Sequence, residues 1–123
     1  MKAPGKYETD WGMELLWANT EQYSGKLIIF SEVGKKMPMS LHKEKTKTWF
    51  INGGKLRISY VDSQTKEVKT ADLGEGGTCH FAKLSAHEVE VLEPSVVFEV
   101  ATTDDDSDSF GVNLTSEESP SEQ

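Results

Sequence analysis

Three histidines, His42, His80 and His87, carry most of the chemistry this sequence offers. A neutral imidazole binds a transition metal through one ring nitrogen and moves a proton near neutral pH. Around the first of them, Ser40, His42 and Glu44 alternate, so an extended strand aims all three to one side. Lys47 follows closely, and its ammonium has no lone pair and repels a divalent cation at short range. Two chemistries therefore stay open. In one, His42 and His87 hold Zn, Mn, Fe or Ni with Glu44, His80 or water completing the set. In the other, His42, Glu44, Lys47 and His87 form a metal-free polar interior, where Lys47 pairs with Glu44 or binds an anionic ligand directly. Trp49 and Tyr60 are aromatic candidates for stacking on a sugar ring, or simply core.

The elements that must position these residues are strands. Runs of four to seven strand-prone residues at 25–31, 48–51, 55–61, 67–73, 78–82, 87–92 and 96–102 are each closed by a turn signal. No helix-period segment of comparable strength competes. Asn52-Gly53-Gly54 supplies positive φ cheaply and predicts a hairpin there, with 55–61 returning along 48–51. Pro94 and Ser95 separate the last two runs. This spacing suggests an antiparallel sandwich or barrel, in which a hairpin partner brings Lys47, and a distant strand brings His87, to the side chain of His42.

The segment 34–54 resembles the first cupin motif, G-x5-H-x-H-x4-E-x6-G, with every interval preserved. Gly34 leads, Ser40 stands at the first histidine, His42 is the second, Lys47 takes the glutamate position and Gly54 closes it. The second motif, G-x5-P-x-G-x2-H-x3-N, falls on Gly76, Ala82, Leu84, His87 and Val91, keeping only the glycine and the histidine. The resemblance implies an all-β cupin, a jelly-roll barrel whose usual metal site keeps two of its ligands. Trp11-Gly12-x-Glu14-Leu15-Leu16-Trp17-Ala18, Tyr23-x-Gly25-Lys26 and Ser40-Leu41-His42 look similar to the cupin domain of type II mannose-6-phosphate isomerases and related sugar-phosphate proteins. That branch implies a sugar or sugar-phosphate ligand and, in active members, metal-assisted proton transfer. Lys47 stands where such activity needs the metal-binding carboxylate. The rivals are a metal-dependent isomerase or oxygenase with a rescued third ligand, and a non-catalytic dimerisation module.

Chain length and composition agree with one soluble domain: 123 residues, 36% hydrophobic and 28% charged. The cupin domain is expected over residues 1–103, with its core at about 25–102 and an edge segment at 7–20. Residues 104–123 hold seven acidic residues and no Lys or Arg, an acidic, Ser-rich tail expected to be flexible. The net charge of −8 comes mostly from that tail, and neither a basic patch for nucleic acid nor a membrane-length apolar run is present. One cysteine, Cys79, excludes an internal disulfide and suits the cytoplasm, as does an N-terminus without the apolar core of a secretion signal. Arg57 is expected on a solvent face. Lys35, Lys36, Lys43 and Lys45 crowd the approach to His42, which favours an anionic ligand. A homodimer is expected because an open barrel edge must be covered; the apolar segment 11–17 is either a strand covering an edge or one side of a dimer contact, and the dimerisation-module reading puts Trp11 and Trp17 near the partner.

Overall fold

Alternation of side chains is the organising rule of this chain. The computed structural model describes residues 1–112 as nine strands and one 3-10 turn. The strands are β1 (Gly5–Glu8), β2 (Gly12–Asn19), β3 (Ser24–Phe30), β4 (Lys36–His42), β5 (Lys47–Val61), β6 (Val68–Gly74), β7 (Thr78–Phe81), β8 (His87–Ala101) and β9 (Ser109–Gly111). The turn spans Asp106–Asp108. All pairs are antiparallel, and one curled sheet runs β1-β2-β3-β8-β4-β9 while β5 joins β8 to β6 and β7. The long strand β8 is the hub: its C-terminal half pairs with β3, its N-terminal half with β4, and its whole length with β5.

The hairpin expected at Asn52-Gly53-Gly54 does not form. Those residues lie inside β5, where the register against β8 shifts three times between Ile51 and Leu56. Gly54 has φ 97, and a Cβ there would come 2.3 Å from the Pro94 carbonyl oxygen and 2.6 Å from Ser95 Cα. The glycines thus supply a bulge and a close backbone crossing instead of a chain reversal. Across the bulge the inward-facing residues change from Lys47, Trp49 and Ile51 to Leu56 and Ile58. Likewise, Pro94 and Ser95 lie inside β8 without breaking it.

The inward faces of β3, β5 and β8 build a core of Ile28, Phe30, Trp49, Ile51, Leu56, Ile58, Val89, Val91 and Val97, together with Trp11 and Phe81. Aromatic rings run through it in a row: Trp11 on Phe30 at 4.6 Å, Phe30 to Trp49 at 5.8 Å, Trp49 to Phe81 at 5.0 Å and Phe81 on His87 at 4.1 Å. Trp11 is therefore an interior residue and not a partner contact, a correction to the sequence expectation. Trp17, at the β2 bulge, is exposed, its ring lying over Gly25.

The acidic segment also needs correction. Residues 104–112 lie along the barrel, anchored where Asp104 meets buried lysines and Asp108 meets free amides. Asp104 is buried, its backbone amide donates to Asn19 Oδ1, and its carbonyl accepts from Asn19 Nδ2 and from the Lys2 amide. β9 then pairs with β4. The expected tail beyond, residues 113–123, lies outside the described residues. Among the described residues no helix is long and apolar enough to cross a membrane.

Candidate functional site

Strand β4 ends at His42, and the chain turns sharply through Lys43, Glu44 and Lys45. The cause is Asp108, whose carboxylate accepts the amides of all three residues at 2.9 to 3.1 Å. Converging amides make a small anion-binding nest, and they hold the Asp108 carboxyl below its usual range even though its own burial opposes this. The turn breaks the strand alternation, so Glu44 faces solvent instead of following Ser40 and His42 inward. Glu44 is thereby lost both as a ligand and as a partner for Lys47.

His42 is half-buried, and its Nδ1 lies 3.2 Å from the Asp108 carbonyl oxygen. A carbonyl only accepts, so Nδ1 carries the proton and Nε2 keeps the lone pair. Burial and the nearby Lys47 and Lys45 cations lower the His42 pKa below its ordinary value. His87 opens β8 at the Tyr60 register, buried, with Nδ1 3.2 Å from the Ser85 carbonyl. Burial, with Lys47 next, pushes it down to about 3. Both imidazoles are thus neutral at pH 7, and Lys47 is the largest charge acting on either.

Lys47 opens β5 and points inward, 7% exposed. Its Nζ stands 5.2 Å from the Trp49 ring and 5.1 Å from the Phe81 ring. Behind it lies a cluster that the sequence reading missed. Lys26 Nζ meets Glu14 at 3.0 Å and Asp104 at 3.3 Å, and Lys45 Nζ meets Asp104 at 2.7 Å and Glu99 at 3.3 Å. Glu99 also accepts the Trp49 indole N–H at 2.8 Å. Although burial opposes ionisation of Glu99 and Asp104, the surrounding lysines hold both near 2. The signal for this cluster was present: Lys26 and Glu99 occupy inward positions of otherwise apolar strands, where an ion must find a partner.

His42, Lys47 and the ion-pair cluster line a cavity of about 350 Å³, together with Asp105, Asp106 and Ser109, whereas His87 is not among the residues lining it. His42, Ser40, Lys47, Trp49, Glu14 and Lys26 are on its wall. The other candidates fall elsewhere. His80 is exposed on the outer face of β7, its Nδ1 3.1 Å from Thr48 Oγ1. Tyr60 lines a different depression, with Leu41, Val61 and Ala86. Trp49 is fully buried and belongs to the core as much as to the cavity. Of the lysines expected to crowd the approach, Lys45 is buried in the ion-pair cluster, Lys36 sits near Glu88 and Lys43 lies over Phe110. Arg57 forks onto Asp72 on the solvent face, and burial raises the Cys79 thiol.

The donor set does not fit a divalent metal. Among the described residues no group of three or more His, Cys, Asp and Glu side chains is placed to hold one. The carboxylate position is an ammonium, and both rescue ligands, Glu44 and His80, face outward.

The fold is shared with proteins of very different sequence. No family model and no curated protein matches the chain. Among solved structures, KdgF from Halomonas sp. is similar at TM-score 0.65 and 16% identity, over 77% of this chain and 81% of that one. Oxalate decarboxylase from Bacillus subtilis matches at TM-score 0.76 and 17% identity, over 97% of this chain and 32% of that one. The capsular polysaccharide assembling protein CapF from Staphylococcus aureus matches at TM-score 0.74 and 13% identity, over 93% and 34%. The chain thus spans about a third of the length of the last two. These likenesses show the cupin fold.

Proposed function

We propose that this cupin-fold chain binds a small anionic or carbohydrate ligand in its barrel cavity without a metal, Lys47 supplying the positive charge. One observation carries the reading: a buried ammonium faces the cavity from the position where the cupin motif has its carboxylate, with no carboxylate of the described residues within 4.0 Å. A cation so placed has unspent hydrogen-bonding capacity, and a ligand carboxylate, phosphate or hydroxyl would satisfy it. Neutral His42, Ser40 and Glu14 on the same wall offer donors and acceptors to hydroxyl groups. The fold likeness to a capsular polysaccharide assembling protein is compatible with a carbohydrate ligand. The kinship with sugar-phosphate isomerases belongs to the same reading.

Thermal melts at pH 7 with gluconate, glucose 6-phosphate and glucose test it. At a hundredfold excess over Kd a true ligand stabilises the native state by about 3 kcal/mol, and K47M removes that response. No stabilisation by any of them, or an equal response in K47M, overturns the proposal. Elemental analysis is expected to find no near-stoichiometric Zn, Mn, Fe or Ni; metal that disappears on replacing His42 or His87 would favour the metal-dependent enzyme instead.

The partner we propose is a second copy of the chain. The outward positions of β2, β3, β5 and β8 carry Leu15, Leu27, Phe50, Phe98 and Val100, with the Phe50 and Phe98 rings stacked at 6.4 Å. Phe50, Phe98 and Val100 are exposed, and a contiguous apolar sheet face of this kind suits a twofold contact. Sedimentation is expected to give a dimer that F98E converts to monomer. A wild-type monomer at high concentration refutes this.

A further inference from the structure

Three lysines enter the interior, and two are committed to ion pairs: Lys26 with Glu14 and Asp104, Lys45 with Asp104 and Glu99. Lys47 differs. Its Nζ lies against the Trp49 and Phe81 faces, no carboxylate of the described residues is within 4.0 Å, and it lines the cavity beside Ser40 and His42. We propose that Lys47 is a nucleophile that condenses with the carbonyl group of a small aldehyde or ketone entering this cavity, holding it as an imine. The inference rests on the ligand site proposed above and adds covalent capture to it.

An amine acts as a nucleophile only when neutral, and an apolar pocket with neighbouring cations is one way to reach that state near pH 7. Burial brings Lys47 down to about 8, Lys45 and Lys26 working in the same direction, while Glu99 and Glu14 pull it back up. Glu99, Glu14, Lys45, Lys26, His42, His87 and Cys79 are the titratable groups in its electrostatic reach. The step balances without a redox partner. The Nζ lone pair adds to the carbonyl carbon as the C=O π pair moves onto oxygen. A proton then passes from nitrogen to that oxygen to give a carbinolamine. Loss of water, which carries away both amine hydrogens and the carbonyl oxygen, leaves the C=N bond. Neutral His42, its Nδ1–H committed to the Asp108 carbonyl, has its Nε2 lone pair free to carry the proton.

The test incubates the full chain at pH 7.5 with glyoxylate in one arm and glyceraldehyde in the other. Cyanoborohydride is added to reduce the C=N bond to a stable secondary amine, and intact mass and peptide mapping locate the adduct. One adduct per chain is expected, at Lys47, forming on the order of 100-fold faster than at a surface lysine because its neutral fraction is larger by about that factor. Its rate should be half-maximal near pH 8. Faster labelling by glyoxylate assigns an anionic 2-oxo acid, and faster labelling by glyceraldehyde assigns a short sugar. K47R keeps the charge and should lose the adduct, as should K47M. Label spread over surface lysines, or K47R labelled at the wild-type rate, overturns the inference. Stabilisation by gluconate without any Lys47 adduct overturns covalent capture alone, and absence of both overturns the binding site as well.

Discussion

Replacing Lys47 with methionine keeps the unbranched stem and removes only the charge, so it isolates the cost of burying that ammonium. The ordinary lysine value is 10.5, and in the folded chain it falls to about 8. At 1.36 kcal/mol per pKa unit the difference corresponds to about 3 kcal/mol of destabilisation wherever both states are protonated. The sign follows from proton counting. Between pH 8 and 10.5 the unfolded chain holds a proton that the folded chain has released, so wild-type stability rises with pH through that window. Below pH 8 the penalty is present in full. K47M is therefore expected to be more stable than wild type by about 3 kcal/mol at pH 7. The gap should shrink by about 1.4 kcal/mol per pH unit above 8 and close near pH 10.5. Lys26 does not confuse the measurement, because its folded value is raised and its contribution is lost only above 10.5. Cys79 contributes a fall above pH 9 in both proteins, which largely cancels in the difference. Urea melts of the two chains at pH 7, 8, 9 and 10 read the gap directly. A variant less stable than wild type at pH 7, or a gap that ignores pH, would refute the argument that the cost of burying the Lys47 ammonium exceeds its attraction to Glu99 and Glu14.

Three further expectations follow from the same geometry. His87, held down to about 3, is protonated in the unfolded chain before the folded one as pH falls below 6.5, so stability at pH 5 should be about 2 kcal/mol below its value at pH 7. His87→Leu removes most of that slope in denaturant melts, the remainder belonging to His42, and an unchanged slope counts against His87 being buried and neutral. Asp108→Ala strips the shared acceptor from the amides of Lys43, Glu44 and Lys45 and should cost about 2 kcal/mol, with faster amide exchange at those three residues; unchanged exchange would show that the carboxylate does not hold the turn. Leu84 has φ 64 and an exposed side chain, so Leu84→Gly should raise stability by about 1 kcal/mol, and a loss of that size in the melts would refute strain at this position.

Leu84 also shows what the sequence did and did not make legible. The motif glycines Gly34, Gly54 and Gly76 all sit at positive φ, at 89, 97 and 84, and Leu84, standing at the second motif's later glycine, keeps the left-handed conformation without the glycine. Motif spacing thus encoded backbone geometry even where the residue type changed. The Leu84 amide donates to the His42 carbonyl at 2.6 Å, which explains why that turn persists: it ties the β7–β8 connection to the end of β4. Strand positions were readable from alternation; of the three residues expected to converge, His42 and Lys47 line one cavity and His87 is not among its lining residues. Glu44 was misplaced because the turn that removes it is dictated by Asp108, 64 residues away, in a segment whose composition alone suggested solvent. The same distance hid the ion-pair cluster, since Lys26, Glu99 and Asp104 come together only when β3 pairs with β8. Asn52-Gly53-Gly54 misled because local chemistry cannot distinguish a hairpin from a bulge; the length of the partner strand decides it.

The position of β8 as hub has a consequence for biosynthesis. β3, β4 and β5 all take a hydrogen-bonding neighbour from residues 87–101, a segment that comes after all three in the chain. While the ribosome is still adding those residues, the earlier strands have emerged without the segment that zips them together. Closure therefore waits for residues 87–101, the nascent chain carries unpaired edges until they are made, and a nonsense codon before residue 87 leaves a product with no route to the barrel.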